Sequence, residues 1–67
     1  MKVFVVERGE FGEGSSILGI SASITGAINI AELEFDSWSW NDKKRVSETS
    51  WKGGCDYIDI TEIEMVE

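Results

Sequence analysis

FVVERGEFGEGSSILGISAS, residues 4–23, is the stretch on which the fold turns. An apolar run, Val3 to Val6, meets a knot of charges and glycines, then resumes as Ile17-Leu18-Gly19-Ile20. Such a knot is either a phosphate-binding loop or the bend between two strands. Gly9-Glu10-Phe11-Gly12-Glu13-Gly14 lacks the Gly-Lys-Ser/Thr ending of a phosphate loop, and the residues after it are strand formers rather than a helix start. Its two glutamates would also repel phosphate, whereas a helix N-terminus that binds phosphate offers positive potential. The knot therefore reads as a loop over residues 9–14, joining a strand at 2–8 to a second strand at 15–21 in a hairpin.

The first strand has no polar alternation, as expected of a strand buried on both faces and central in its sheet. After the second strand, Ser21 or Ser23 offers a helix cap, and a helix is expected through about residue 34. At 100° per residue, Ile24, Ala27, Ile28, Ala31 and Phe35 share the face that covers the sheet. Ile30 and Leu33 fall on the other side, which marks them as candidates for self-association. Gly26 and the β-branched residues weaken the helix, and the alternation of residues 32–36 competes as a strand.

Farther along, Trp38-Ser39-Trp40 and Arg45 to Trp51 read as two short strands joined by the turn Asn41-Asp42-Lys43-Lys44. Gly53-Gly54 signals another turn, and Cys55 to Val66 a final strand. In that strand Ile58 and Ile60 share one face while Ile63 and Met65 share the other, a phase change that a β-bulge near Thr61-Glu62 would produce. The expectation is an α+β fold in one small domain, residues 1–67: a ββα unit followed by two or three strands, with one helix packed on an antiparallel sheet.

A chain of 67 residues buries only about 60% of its unfolded surface, so its core is marginal. Disulfides, metals or association usually compensate. With one cysteine, Cys55, and no histidine, an intrachain disulfide is excluded and a structural zinc site lacks its usual ligands. Association remains, so a homo-oligomer is expected. Thirteen acidic and six basic residues give a formal charge of −7, which disfavours nucleic acid and anionic membranes. Half of the basic residues form Lys43-Lys44-Arg45, most simply a solvated turn. No segment is long enough to span a bilayer, and Glu7 and Arg8 cut the opening apolar run too short for a signal peptide. A cytoplasmic setting, the host's if the chain is phage-encoded, is consistent with the lone thiol.

The first third of the chain also carries a resemblance. Met1-Lys2-Val3-Phe4-Val5-Val6, then Arg8-Gly9-Glu10-Phe11, then Gly19-Ile20 followed by serines, resembles a family of small phage and bacterial proteins. In those, an R-G-E-Y-S-D-Y loop joins two strands and a G-V-F-S-S/T stretch opens a helix. Phe11 takes the tyrosine position, Gly12-Glu13-Gly14 replaces Ser-Asp-Tyr, and Ile20-Ser21-Ala22-Ser23 stands for Val-Phe-Ser-Ser. The tryptophan-rich second half departs from the pattern. The resemblance implies a ββα unit closed by a C-terminal strand and a phage setting, and no activity.

Chemistry is sparse. The commonest general base and metal ligand is missing, and serine or cysteine nucleophiles need a base beside them. Asp56 with Asp59, and Glu62 with Glu64, are most simply the wet face of an acidic strand rather than a glycosidase pair. Asp56 beside Cys55 disfavours a reactive thiolate. No catalytic residue, metal site or cofactor is assigned, and an enzyme is not expected. The excess lies in Trp38, Trp40 and Trp51. Tryptophans serve a small core or, with arginine, an interface. In an extended segment Trp38 and Trp40 would share a face close to Arg45, so Trp38, Trp40, Trp51 and Arg45 are the candidate binding residues. The leading expectation is a protein-binding, inhibitor-like accessory factor that modulates a host or defence protein. The alternatives are an oligomeric binder of a nucleotide signal, stacked between tryptophan faces and Arg45, and a self-assembling structural module.

Overall fold

The glycine knot is a hairpin loop. In the computed structural model, which describes residues 1–66, β1 (Lys2–Glu10) and β2 (Gly14–Ser21) pair antiparallel down to Glu10 opposite Gly14. The Glu13 amide closes the turn onto the Glu10 carbonyl at 3.0 Å. Gly12 and Gly14 both sit at φ 87°, a conformation that L side chains rarely adopt. No atom lies within 4 Å of where a Cβ would stand at either position, so backbone conformation, not crowding, selects glycine there.

Both serines act at the helix entrance. Ser23 caps α1 (Ile24–Asp36), its Oγ accepting from the Gly26 amide at 3.1 Å, while Ser21 Oγ accepts from the Ser23 amide at 3.2 Å. Residues 32–36 are helical, not strand. Ala27 and Ala31 are fully buried and let the helix lie close on the sheet, flanked by the part-buried Ile28, Ile30 and Phe35. Ile24 stays more exposed than its position on that face predicts. Ile30 has an intrachain role after all: it packs over Gly19, where an added Cβ would come within 3.1 Å of its Cδ1. Leu33 has no such cover and is 76% exposed.

The chain between Trp38 and Trp40 is not a strand. It leaves the helix through helix-type bonds, Trp38 N–H donating to the Phe35 carbonyl at 3.1 Å. Lys43 Nζ then ties it down, donating to the carbonyls of Phe35 (3.1 Å) and Trp38 (3.0 Å). Nor is 45–51 one strand. It divides into β3 (Lys44–Ser47) and β4 (Ser50–Gly53), turning at Glu48-Thr49. Gly54, at φ 58°, makes the next turn into β5 (Asp56–Glu64).

The five strands form one antiparallel sheet in the order β2-β1-β5-β4-β3. β1 is an interior strand, between β2 and β5, as its unbroken apolar run predicts, but the helix covers only one of the two faces expected to be buried. Its pairing with β5 runs without a shift from Lys2 opposite Glu64 to Glu10 opposite Asp56, so no bulge lies at Thr61-Glu62. The phase change in β5 has another cause. Ile58 and Ile60 face the helix, whereas Ile63, opposite Val3, points to the other face. The bulges are elsewhere, in β2 at Leu18 and in β3 at Val46, where the register slips. The Leu18 bulge turns Leu18 and Gly19 both toward the helix. The core is Val6, Ala27, Ala31, Trp38, Trp51, Ile58 and Ile60.

Candidate protein-binding surface

The three tryptophans separate. Trp51, in β4, is almost wholly buried under the helix side of the sheet. Arg45 pairs with it across β3 and β4, its guanidinium 4.9 Å from the ring centroid. The same arginine fastens its own hairpin, Nε donating to the Ser47 carbonyl (3.1 Å) and Nη2 to that of Glu48 (2.7 Å). Arg45 is therefore committed to the fold. Trp38 is buried as well, tilted against Phe35 with ring centroids 5.6 Å apart. Trp40 alone is substantially open, at 42%, and its indole lies over Gly54, leaving no room for a Cβ there.

Trp38 and Trp40 do not share a face, because their segment is not extended. They meet instead through acids gathered around Arg8. Trp38 Nε1 donates to Glu34 Oε2 at 3.0 Å, and Trp40 Nε1 to Asp56 Oδ2 at 2.9 Å. Arg8 lies between the two carboxylates, Nε 2.9 Å from Glu34 and Nη2 3.5 Å from Asp56. The Nε–Glu34 approach is an ion pair by distance only. The Nε–H is not aimed at the oxygen, and that buried donor has no hydrogen bond. This bridge ties the helix, β1, β5 and both indoles together at one end of the core. Its sequence signal was Arg8 itself, on the inward face with Phe4 and Val6, since a cation there requires partners. It also takes Asp56 out of any wet acidic pair with Asp59, because the two point to opposite faces.

The other face of the sheet carries what sequence reading missed. Pairing places Val3, Val5, Ile17, Ile20, Thr61 and Ile63 together there. The one helix among the described residues lies on the opposite side. Ile17 is 61%, Ile20 59% and Ile63 41% exposed. The rest of this face is polar. Ser15 Oγ donates to Glu7 (3.0 Å) and Ser50 Oγ to Asp59 (2.8 Å). Phe11 leans on Tyr57 with centroids 5.1 Å apart, and Lys52 Nζ lies 5.4 Å from the Phe11 ring. These residues line an open groove of about 370 Å³. The signal was present in β1, where Val3 and Val5 alternate with Phe4 and Val6. A strand with both faces apolar demands a cover on both.

Among the described residues no three of His, Cys, Asp or Glu are grouped to hold a metal ion, and no helix is long and apolar enough to cross a membrane. Cys55 is a free, exposed thiol. No protein-family model matches the chain, and neither does any curated protein or solved structure.

Proposed function

We propose that the chain is a non-enzymatic protein-binding module, an accessory factor of the inhibitor type that acts by covering a site on another protein in the cytoplasm. The observation that supports this most is the bare apolar half of the sheet, since contiguous exposed apolar surface on a small protein marks a contact site. The binding residues move accordingly, from Trp38, Trp51 and Arg45 to the exposed Ile17, Ile20 and Ile63, with Val3 part-buried and Val5 buried among them and Trp40 left at the rim. Electrostatics specify the partner. Glu7 and Asp59 share the face, and the whole chain carries −7, so the complementary surface is an apolar patch ringed by lysine or arginine. The resemblance of the first third to small phage and bacterial proteins supports a host or defence protein as that partner. Self-association belongs to the same reading, because the core is small.

A second reading, sequestration of a small molecule, draws on the Phe11–Tyr57–Lys52 groove rather than on the tryptophans. The acids Glu10 and Asp59 in its lining favour a flat cationic ligand over a nucleotide.

The test uses the double variant Thr61→Lys, Ile63→Lys, which makes the bare face cationic on a central strand. Capture from a host lysate by the parent chain, lost in this variant and kept in Trp40→Ala, is the expected result, with the captured protein basic and its binding weakened by salt. Equal capture by parent and double variant overturns the reading.

A further inference from the structure

The proposed self-association leaves open which surface joins the copies, and the two edges of the sheet answer differently. Edge strands expose unpaired backbone groups, and proteins shield them with charge, proline, shortness or bulges. β3 is shielded on three counts: it has four residues, carries Lys44 and Arg45, and is bulged at Val46. β2 is twice as long and has only the bulge at Leu18. No Asp, Glu, Lys or Arg occurs from Gly14 to Ala31, although the chain is strongly acidic. The edge strand and the first two turns of the neighbouring helix thus form an uncharged margin on an otherwise anionic molecule.

The margin is also apolar above and below. On the helix side, Leu18, Ile30 and Leu33 line a shallow groove beside β2, with Glu34 and Ser37 also in its lining. On the bare side, Ile17 and Ile20 project from the strand itself.

We propose that β2 is the seam of a homodimer, pairing antiparallel with β2 of a second copy to make one continuous ten-stranded sheet. The occupant is a second copy on grounds of charge. Two chains of −7 repel wherever their acids approach, and this margin carries no charge of its own, with Glu7 already held by Ser15 and Glu34 by Trp38 beside it. Geometry agrees. A two-fold axis normal to the sheet keeps both helices on one side. The register that holds each β2 residue on its own face sets Ile17 opposite Ile20 of the second copy, Ser16 opposite Ser21, and Leu18 opposite Gly19, so the two bulges meet at the axis. Leu33, uncovered within one chain, then lies along the seam. The two bare faces become one platform of doubled length, which lets a dimer engage a repetitive or two-fold partner with avidity.

This inference rests on the self-association reading, and its test separates the two. Sedimentation equilibrium of the full chain reports the mass, and amide exchange at low and high concentration reports the seam. Strand addition protects outward β2 amides, whereas stacking of bare faces leaves them open. Dimer formation with exchange of residues 14–21 slowed about tenfold between roughly 1 and 100 µM is the expected result. The variant Ile17→Lys, Ile20→Lys, which gathers four cations at the seam, is expected to sediment as a monomer, while Val46→Lys on the other edge stays dimeric. A dimer whose β2 amides exchange equally at both concentrations refutes the seam and leaves self-association standing. A parent chain that is a monomer throughout refutes both, and capture through Thr61 and Ile63 is still read separately. If the double lysine variant fails to fold, by circular dichroism and Trp51 fluorescence, the exchange experiment on the parent chain decides alone.

Discussion

The two faces of the sheet are built from similar side chains and meet opposite fates. β5 supplies Ile58 and Ile60 to the core and Ile63 to open surface. β1 supplies Phe4 and Val6 to one side, Val3 and Val5 to the other. What differs is cover. The helix, with Ala27 and Ala31 at its contact, covers β2, β1 and β5 on one face, and the Trp38 segment covers β4 beside them. Among the described residues no element lies over the other face. On the proposed function, stability and binding are divided between two sides of the same strands. A substitution acts on one or the other according to the parity of its position.

The division breaks if the covered side proves dispensable. Trp51→Ala empties the largest buried side chain and is expected to cost about 3–5 kcal/mol, comparable to the total stability of a domain this small. Thermal melting is expected to show an unfolded chain at room temperature, and a cooperative transition above it would show that the covered face is not the core. Arg8→Ala is expected to cost less, about 1–3 kcal/mol, because it strands the carboxylates of Glu34 and Asp56 at the inner rim. Urea titration reads it, and Arg8→Lys is expected to recover part of the loss. Gly54→Ala combines a φ of 58° with the Trp40 ring overhead and is expected to cost about 1–3 kcal/mol at a rim position, with Trp40 fluorescence shifting red. At the small end, Ile63→Thr on the bare face is expected to change stability by no more than about 0.5 kcal/mol while weakening partner capture. Destabilisation as large as that of Ile58→Ala would mean that the bare face is a second core.

Much of the covered side was legible in residues 1–36. The hairpin, the serine cap and the central place of β1 follow from glycine conformation, capping chemistry and an unbroken apolar run, all local signals. The second half was less legible because its turns lack local marks. Glu48-Thr49 carries neither glycine nor asparagine, so the β3–β4 hairpin read as one strand. Trp38 to Trp40 imitates alternation, yet its course is set by bonds from Lys43 back to the helix end, which no spacing encodes. The phase change from Ile58 and Ile60 to Ile63 and Met65 reads as a bulge near Thr61-Glu62, yet the β1–β5 register is unbroken and Ile63 lies on the bare face. The tryptophans drew attention by rarity, and two of the three were core.

The ladder between β1 and β5 runs through the middle of the sheet, yet it joins residues 2–10 to residues 56–64, with the Met65 amide reaching the Met1 carbonyl at 2.7 Å. Everything else in the fold is nested inside that closure. The β1–β2 hairpin, the helix and the β3–β4 hairpin can each form from neighbours in sequence. They do not make a sheet until the most distant segments find each other, and the entropy of closing so long a loop comes before the contacts that offset it. A chain of this size and topology therefore folds slowly, on the order of milliseconds to seconds. Until it does, β1 presents a second unpaired edge, apolar from Val3 to Val6. Crowded, partly folded chains meet through that transient edge, so folding adds an aggregation hazard to the one that the bare face and β2 edge already carry.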